Sequence, residues 1–343
     1  MARSGWKVSG TKVRLALLGS LLAVLALAQD AAPIRVDVRL VRILATVKDQ
    51  SGALVGTLNK ENFTVRDNGV EQSVAVFERQ TDQPLSVAIM IDNSGSTAKD
   101  LKYETDSVIR FLHAILREGN PEDSVGLYSF NWEVVKQNTF TRNQTAIERS
   151  LRTLRGEAGT SLYDAILLAS RDIQDRPGRK VLVIVTDGGD TTSHTDFQRA
   201  VEAAQIADTV IYPVLVVPII NPAGRNTGGE NALATFALRT GGRVFQPSLG
   251  AAMDKAFDEI LRDLRTQYLL AFYPHDVPLT KERFHALDVA TSDPVLQVKA
   301  RSGYYGEALP ATSVGPSGSV ALTPSDESVR TPRKPATTKK GTP

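Results

Sequence analysis

The chain has 343 residues, more than one domain of the usual ~100–150, so a core domain with a smaller module and tails is expected. It contains no cysteine, which excludes a disulfide framework and a thiolate zinc site. The net charge of +2 includes four basic residues and no acidic one in positions 1–28, which leaves −2 for the rest. The later basic residues are balanced by acids, which excludes a nucleic-acid-binding surface.

Residues 1–28 have the layout of a cleavable signal peptide: a basic start, the apolar stretch Leu15 to Leu27, and the small-residue end Ala26-Leu27-Ala28. The alternative is a single membrane anchor, but the apolar stretch is shorter than the ~20 residues that a spanning helix needs. We expect a secreted, periplasmic or cell-envelope protein, with no transmembrane segment after cleavage. The lack of cysteine favours a bacterial setting.

The segment 33–80 is predicted to be a small β module. Residues 34–47 alternate apolar and polar side chains, the pattern of half-buried strands, and Asn68-Gly69 is a hairpin signal. About five strands are expected here. Such a module is too small to be stable alone.

From Leu85 onward the pattern changes to alternating strands and helices, which predicts a mostly parallel sheet with helices on both faces. The candidate strands are 85–92, 124–130, 133–140, 180–186, 209–217 and 243–246. The candidate amphipathic helices are 100–116, with its charged residues opposite the apolar face, 195–208, 231–239 and 249–265.

Residues 268–306 return to the β pattern and have no core of their own. We therefore predict that these strands pack with segment 33–80 as one β-sandwich, into which the α/β domain is inserted. The glycine-rich stretch 221–229 lacks the phosphate-loop pattern and is predicted to be a flexible connection. The Pro-, Ser-, Thr- and Lys-rich segment 307–343 is predicted to be disordered.

Oxygen-bearing side chains follow two strands and precede one helix of the predicted α/β domain. In chain order these residues are Asp92, Ser94, Ser96, Thr160 and Asp187. Ligands of open α/β sheets bind outside the carboxyl ends of parallel strands, so all of these segments point to one edge. Hydroxyl and carboxylate oxygens suit a small hard cation, which predicts a metal site there.

This set of residues resembles the metal-ion-dependent adhesion site of the von Willebrand factor type A family, written Asp-x-Ser-x-Ser, then Thr, then Asp. The resemblance covers residues 84–267 and implies a Rossmann-like domain that holds Mg²⁺, or Mn²⁺ or Ca²⁺. It implies that Ser94, Ser96 and, in the ligand-bound form, Thr160 coordinate the ion directly. Asp92 and Asp187 would act directly or through water.

The resemblance also implies an open coordination position for an Asp or Glu of a partner protein, and a last helix, 249–265, that shifts on engagement. The flanking β segments resemble those of a bacterial group of secreted type A domain proteins. That layout carries Asp-Asn-Gly at 67–69 and a trailing Gly-Tyr-Tyr at 303–305. The oligomeric state stays open.

Several residues near this set have plainer interpretations. Asp92, Ser94 and Ser96 taken alone could be helix-capping or strand-end residues. Asp190 could make an outer-shell contact at the site, although a turn residue is favoured, and Asp164 is expected to be a first-turn partner of the helix dipole. The four histidines show no ligand spacing and are expected to be surface or packing residues, with His194 closest to the site.

Catalysis is not expected. The chain has no Gly-x-Ser-x-Gly turn, and Ser94 has neither a paired histidine nor a base nearby in the sequence. The sequence favours a secreted, metal-dependent protein-binding or adhesion module. The alternative is a structural or assembly protein of the cell envelope in which the metal mainly stabilises the domain, and a metal-assisted hydrolase ranks third.

Overall fold

The computed structural model describes residues 40–79, 83–216, 227–277 and 283–306. The predicted signal peptide, the strand expected over 34–39, most of the glycine-rich stretch and the predicted disordered tail lie outside these ranges. Within the described ranges, no helix combines the length and the apolar character needed to cross a bilayer.

The described residues form thirteen strands and six α-helices. The strands are β1 (Val41–Lys48), β2 (Phe63–Asp67), β3 (Val70–Gln72), β4 (Val74–Glu78), β5 (Leu85–Asp92), β6 (Ser124–Phe130), β7 (Val134–Thr141), β8 (Arg179–Thr186), β9 (Thr209–Leu215), β10 (Tyr268–Phe272), β11 (Phe284–Thr291), β12 (Gln297–Lys299) and β13 (Gly303–Tyr305). The helices are α1 (Leu101–Glu118), α2 (Gln144–Thr153), α3 (Leu162–Ile173), α4 (Phe197–Ile206), α5 (Thr227–Thr240) and α6 (Ala251–Arg265).

The central domain, β5 to α6, is built on a five-stranded sheet in the order β7-β6-β5-β8-β9. All neighbours pair in parallel except β7, which is the antiparallel edge strand. The strands β5, β6 and β9 are buried along their whole length, as expected for continuous apolar runs covered on both faces. The predicted fold class, a mostly parallel sheet between two helical layers, is confirmed.

Alternate residues of β5 belong to two separate hydrophobic cores. Val87 and Ile89 pack with α1, α2 and α6, whereas Ala88 and Met90 pack with α3, α4 and α5. Successive side chains of a strand point to opposite faces of the sheet, and three helices cover each face. Helices cover both faces of the sheet and exclude water from them. The ends of the strands are therefore where polar side chains of this domain can contact water and ligands.

Strands from both ends of the chain form two four-stranded antiparallel sheets, in the orders β12-β1-β10-β4 and β13-β11-β2-β3. One shared core fills the space between them, which makes a β-sandwich. That core contains Ile43, Val65, Tyr268, Phe272 and Tyr304. The first four strands precede the central domain and the last four follow it, so the α/β domain is inserted into the sandwich.

The strand β1 connects the sandwich with the central domain because it is buried on both faces. Ile43 and Ala45 face the sandwich core, whereas Leu44 packs in the core of the central domain together with Leu269. Polar contacts reinforce this junction: Asp263 at the end of α6 lies 3.4 Å from Lys48 and 2.6 Å from Arg243. The insertion is thus held by packing as well as by its two covalent connections.

Two sequence-based predictions differ from the structure, and one helix was not predicted. The expected strand 243–246 is absent, and Phe245 makes only a single bridge to Val214. The helix α2 was not predicted, and α1 does not keep all its charged residues on the solvent side because Glu104 is buried. The amino-terminal module has four strands among its described residues; part of the segment in which about five were expected lies outside those residues, so that number stays a prediction.

Candidate functional site

Asp92 ends β5 and is held rigidly beside the end of the neighbouring strand. Thr186 at the end of β8 donates a hydrogen bond from Oγ1 to Asp92 Oδ2 at 2.6 Å, and the backbone N–H of Ser94 donates to Oδ1 at 2.9 Å. The Asp92 side chain has no exposed surface. The parallel pairing of β5 and β8 thus brings the predicted residues of two distant segments together.

The turn after β5 places two hydroxyls side by side. Ser94 Oγ lies 3.0 Å from Ser96 Oγ. Thr97 fixes the turn by donating from Oγ1 to the carbonyl oxygens of Asp92 at 2.9 Å and Ser94 at 3.0 Å. Ser94 is buried and Ser96 is exposed, so the hydroxyl pair spans from the interior to the surface.

Thr160 is placed by a loop that is bonded to both strand ends. Its N–H donates to Thr191 Oγ1 at 2.9 Å, and its carbonyl accepts from the N–H of Thr191 at 2.8 Å. On the other side, the N–H of Glu157 donates to the carbonyl of Asn93 at 2.9 Å. These bonds attach the Thr160 loop to the turns that follow β5 and β8.

Gly159 explains how the chain reaches Thr160. Its φ of +82° lies in the left-handed region that favours glycine. A Cβ there would lie 2.9 Å from Trp132 Cβ and 3.2 Å from Thr192 Cγ2. Both the backbone conformation and the close approach require glycine at this position.

Asp187 follows β8 directly and is partly buried. Its charge acts on both Asp92 and Glu104, which places these three carboxylates in one electrostatic neighbourhood. The structure thus gathers all five predicted ligands at the carboxyl-end edge of the central sheet. Their role as metal ligands stays a prediction.

Burial makes this edge unfavourable for negative charge. It raises the pKa of Asp92 to about 6, although hydrogen bonds from Thr186 and Ser94 act in the opposite direction. Burial, followed by the charges of Asp92, Asp187 and Asp100, raises the pKa of Glu104 to about 8. The edge therefore concentrates carboxylates in a dry environment that opposes their ionisation.

Glu104 is the residue of this region that the sequence analysis missed. It lies in the first turn of α1, is 1% exposed, and neither carboxylate oxygen has a hydrogen-bond partner. Its spacing gave a signal: Leu101, Glu104 and Val108 stand at i, i+3 and i+7, which places the glutamate on the apolar face of the helix.

The side chains at this edge fit a divalent cation. The 3.0 Å between Ser94 Oγ and Ser96 Oγ matches the ~3 Å separation of adjacent ligands in an octahedron with Mg–O bonds of ~2.1 Å. Glu104 is buried and neither of its carboxylate oxygens has a hydrogen-bond partner, so its ionised form would need a counter-charge from outside the protein. Among the described residues no three His, Asp or Glu side chains form a metal-holding group, so the hydroxyls are required as ligands.

Two acidic residues near the edge have structural roles. Asp190 accepts hydrogen bonds from the N–H of Tyr163 at 3.1 Å and from the Ser193 hydroxyl. Asp164 accepts from the N–H groups of His194 at 2.9 Å and Thr195 at 2.8 Å. Burial alone would raise the pKa of Asp164, but these hydrogen bonds lower it. Both residues hold the loop that follows β8.

A cleft of about 460 Å³ lies beside the Thr160 loop. Its lining includes Ser161, Trp132, Leu168, Arg171 and the exposed His194. It is a mixed apolar and charged surface next to the candidate cation site.

The family of this domain follows from the segment that carries the site. Residues 87–189 match the family model described as the von Willebrand factor type A domain, and that segment contains all five predicted ligands. This part of the chain is a type A domain. No curated protein sequence matches the chain.

Solved structures with a similar fold include three bacterial proteins. The first is the von Willebrand factor domain of the type V pili tip protein Mfa5 of Porphyromonas gingivalis, at 15% identity, TM-score 0.45, and coverage of 52% of this chain and 94% of that chain. The second is BatB of Bacteroides thetaiotaomicron, at 21% identity, TM-score 0.41, and coverage of 53% and 100%. The third is the pilus adhesin SpaC of Lactobacillus rhamnosus GG, at 10% identity, TM-score 0.45, and coverage of 71% and 47%.

Proposed function

We propose that the type A domain binds a divalent cation of the Mg²⁺ type and uses it to bind an acidic side chain of a partner protein. The observation that carries this proposal is the meeting of Asp92, Ser94, Ser96, Thr160 and Asp187 at one edge of the sheet. They come from three separate segments that hydrogen bonds tie to each other. The partner is a protein with an exposed Asp or Glu.

Each residue has a role that follows from its position. Ser94 and Ser96 supply neutral oxygens, and Thr160 a third. Asp92 and Asp187 supply negative charge that attracts the cation. The bound ion would supply Lewis acidity, which attracts an incoming carboxylate. Asp92 is fixed by Thr186, so its carboxylate stays in place when the ion binds or leaves.

The test combines cation binding with partner capture. Isothermal titration of the mature protein with Mg²⁺ or Mn²⁺ measures the first, and capture of proteins from envelope extract with Mg²⁺ or with EDTA measures the second. Asp187→Ala should remove both. The matched control is Asp175→Ala, because Asp175 is exposed and precedes the opposite end of the same strand, β8.

The chemistry of the partner is tested in the same assay. Captured protein should be released by a short peptide that contains Asp or Glu, and not by the same peptide with Asn or Gln. Capture that persists in EDTA, or in Asp187→Ala with its fold intact, would contradict the proposal. Loss of thermal stability in EDTA without any effect on capture would support the structural or assembly role instead.

A further inference from the structure

Glu104 has no role in the site as the five predicted ligands define it, yet it is the most unusual residue of the region. It is 1% exposed and both of its oxygens lack a hydrogen-bond partner. The nearby charges that act on it are those of Asp92, Asp187 and Asp100, all negative. No cationic side chain contributes to its electrostatic environment in the described structure.

Such an arrangement is costly for a residue that only supports the fold. A buried polar group without a partner costs ~1–3 kcal/mol, and more if it is charged. A Leu or Met at the same position of α1 would fill the space without that cost. A bound cation, by contrast, would supply the missing counter-charge to all of these carboxylates.

We propose that Glu104 is a further residue of the cation site, where it holds the ion through a metal-bound water. This inference rests on the proposed function, because it requires that the site binds a cation. The role is a positioning and charge-balancing one. It extends the ligand set from five residues to six and brings α1 into the site.

A water-mediated contact fits the structure better than direct coordination. Asp92, Asp187 and Glu104 do not form a direct metal-holding group of three carboxylates among the described residues. Mg²⁺ loses its waters reluctantly and keeps several of them in protein sites. A carboxylate that does not touch the ion can accept hydrogen bonds from such waters. Mutation of a residue in that position typically lowers metal affinity by 10–100-fold.

The test measures the binding of Mn²⁺ or Mg²⁺ alone to the mature protein by calorimetry. Glu104→Gln keeps the shape of the side chain and removes its charge, so it should weaken the cation affinity by 10–100-fold. The matched control is Glu118→Gln, at the other end of α1, where the side chain is 68% exposed and lies 3.9 Å from Arg265. The control should bind the cation as the wild type does.

A second variant separates cation binding from packing. Glu104→Met removes the unpaired carboxyl, so in EDTA its melting temperature should equal or exceed that of the wild type, while the stabilisation by Mn²⁺ becomes smaller. A lower melting temperature in EDTA together with unchanged cation affinity would assign Glu104 to packing and overturn the inference.

The two proposals fail in different ways. If the wild type takes up no divalent cation, the proposed function and this inference both fail. If the wild type and Glu118→Gln bind the cation, Asp187→Ala does not, and Glu104→Gln binds as tightly as the wild type, then only the role of Glu104 is overturned.

Discussion

Two buried carboxylates, one in the sandwich and one in the type A domain, have opposite surroundings. Asp67 at the end of β2 has no exposed surface and is fully partnered: Tyr304 Oη donates to its Oδ2 at 2.6 Å, and His285 Nδ1 lies 3.0 Å from its Oδ1. Glu104 is equally buried and has no partner.

Asp67 is a structural carboxylate whose partners belong to the fold, whereas the carboxylate of Glu104 needs a partner from outside the protein. Asp67 ties β2 to β11 and β13, so both of its carboxylate oxygens have partners within the fold. Glu104 faces other acids, and the fold alone does not balance it. The comparison predicts that removing the first carboxylate harms folding, whereas removing the second harms cation binding.

The largest effect on folding is expected for Asp67→Ala. The change leaves Tyr304 Oη and the His285 ring without their buried acceptor, which should cost about 3 kcal/mol of unfolding free energy. Urea denaturation with and without Mg²⁺ measures it, and the loss should be the same in both. Asp288→Ala on β11 is the control: its exposed pair with Arg66 at 3.3 Å should contribute less than ~1 kcal/mol. An equal loss in the two variants would refute this assignment.

Cation binding should raise the unfolding free energy by slightly less than the loss expected for Asp67→Ala. At a free Mg²⁺ concentration of about 100 times Kd, a ligand that binds only the folded state adds ~2.7 kcal/mol. Thermal denaturation in Mg²⁺ and in EDTA measures this gain, which should vanish in Asp92→Ala. A gain of the same size in that variant would show that the stabilising ion binds elsewhere.

The stability of the metal-free protein should fall as the pH rises. Burial raises the pKa of Asp92 from 3.8 to about 6 and that of Glu104 from 4.5 to about 8, so the folded state binds more protons than the unfolded state between pH 4 and 8. Unfolding free energy is therefore lost across this window, by about 2 kcal/mol after allowance for relaxation of the buried groups.

Urea denaturation in EDTA at several pH values checks this dependence. Added Mg²⁺ should flatten the profile because the cation balances the carboxylates, and Glu104→Met should reduce the slope above pH 6. Stability that rises from pH 5 to pH 8 in EDTA would contradict the prediction.

The smallest effect is expected at the Thr160 loop. Gly159→Ala introduces a Cβ that meets Trp132 at 2.9 Å, at a φ of +82°, so the loop must shift. We expect a cost of ~1 kcal/mol in stability and a severalfold loss of Mg²⁺ affinity, because Thr160 moves with it. Gly52→Ala is the control: its φ is +83° but nothing lies within 4 Å of the added Cβ. An unchanged Mg²⁺ affinity in Gly159→Ala would remove Thr160 from the site.

The buried strands of the type A domain could be predicted closely from the sequence. β5 and β6 begin and end where predicted, because continuous apolar runs end sharply at polar residues. Segment 243–246 is also apolar in part, but whether such a segment joins a sheet depends on tertiary packing. The helix α2 was missed because only Ile147 and Leu151 of its ten residues are buried, which leaves a weak apolar pattern.

Part of the site could be predicted because polar residues that follow an apolar strand are visible in the sequence. The five oxygen-bearing residues stand at strand ends and before a helix, where the sequence marks them. Glu104 lies inside an amphipathic helix, where a charged residue is expected to face solvent. Its spacing from Leu101 and Val108 places it on the apolar face, but local sequence does not show which side chains that face meets.

The strands that lead into and out of the inserted domain are immediate neighbours, since Glu78 at the end of β4 pairs with Leu269 at the start of β10. For the sandwich, the whole type A domain is equivalent to an enlarged hairpin connection between strands ~5 Å apart. A tight turn of a few residues would close the same gap. The insertion therefore leaves the pairing of β4 with β10 unbroken, and Leu44 and Leu269 of the sandwich strands are the side chains that its removal would expose.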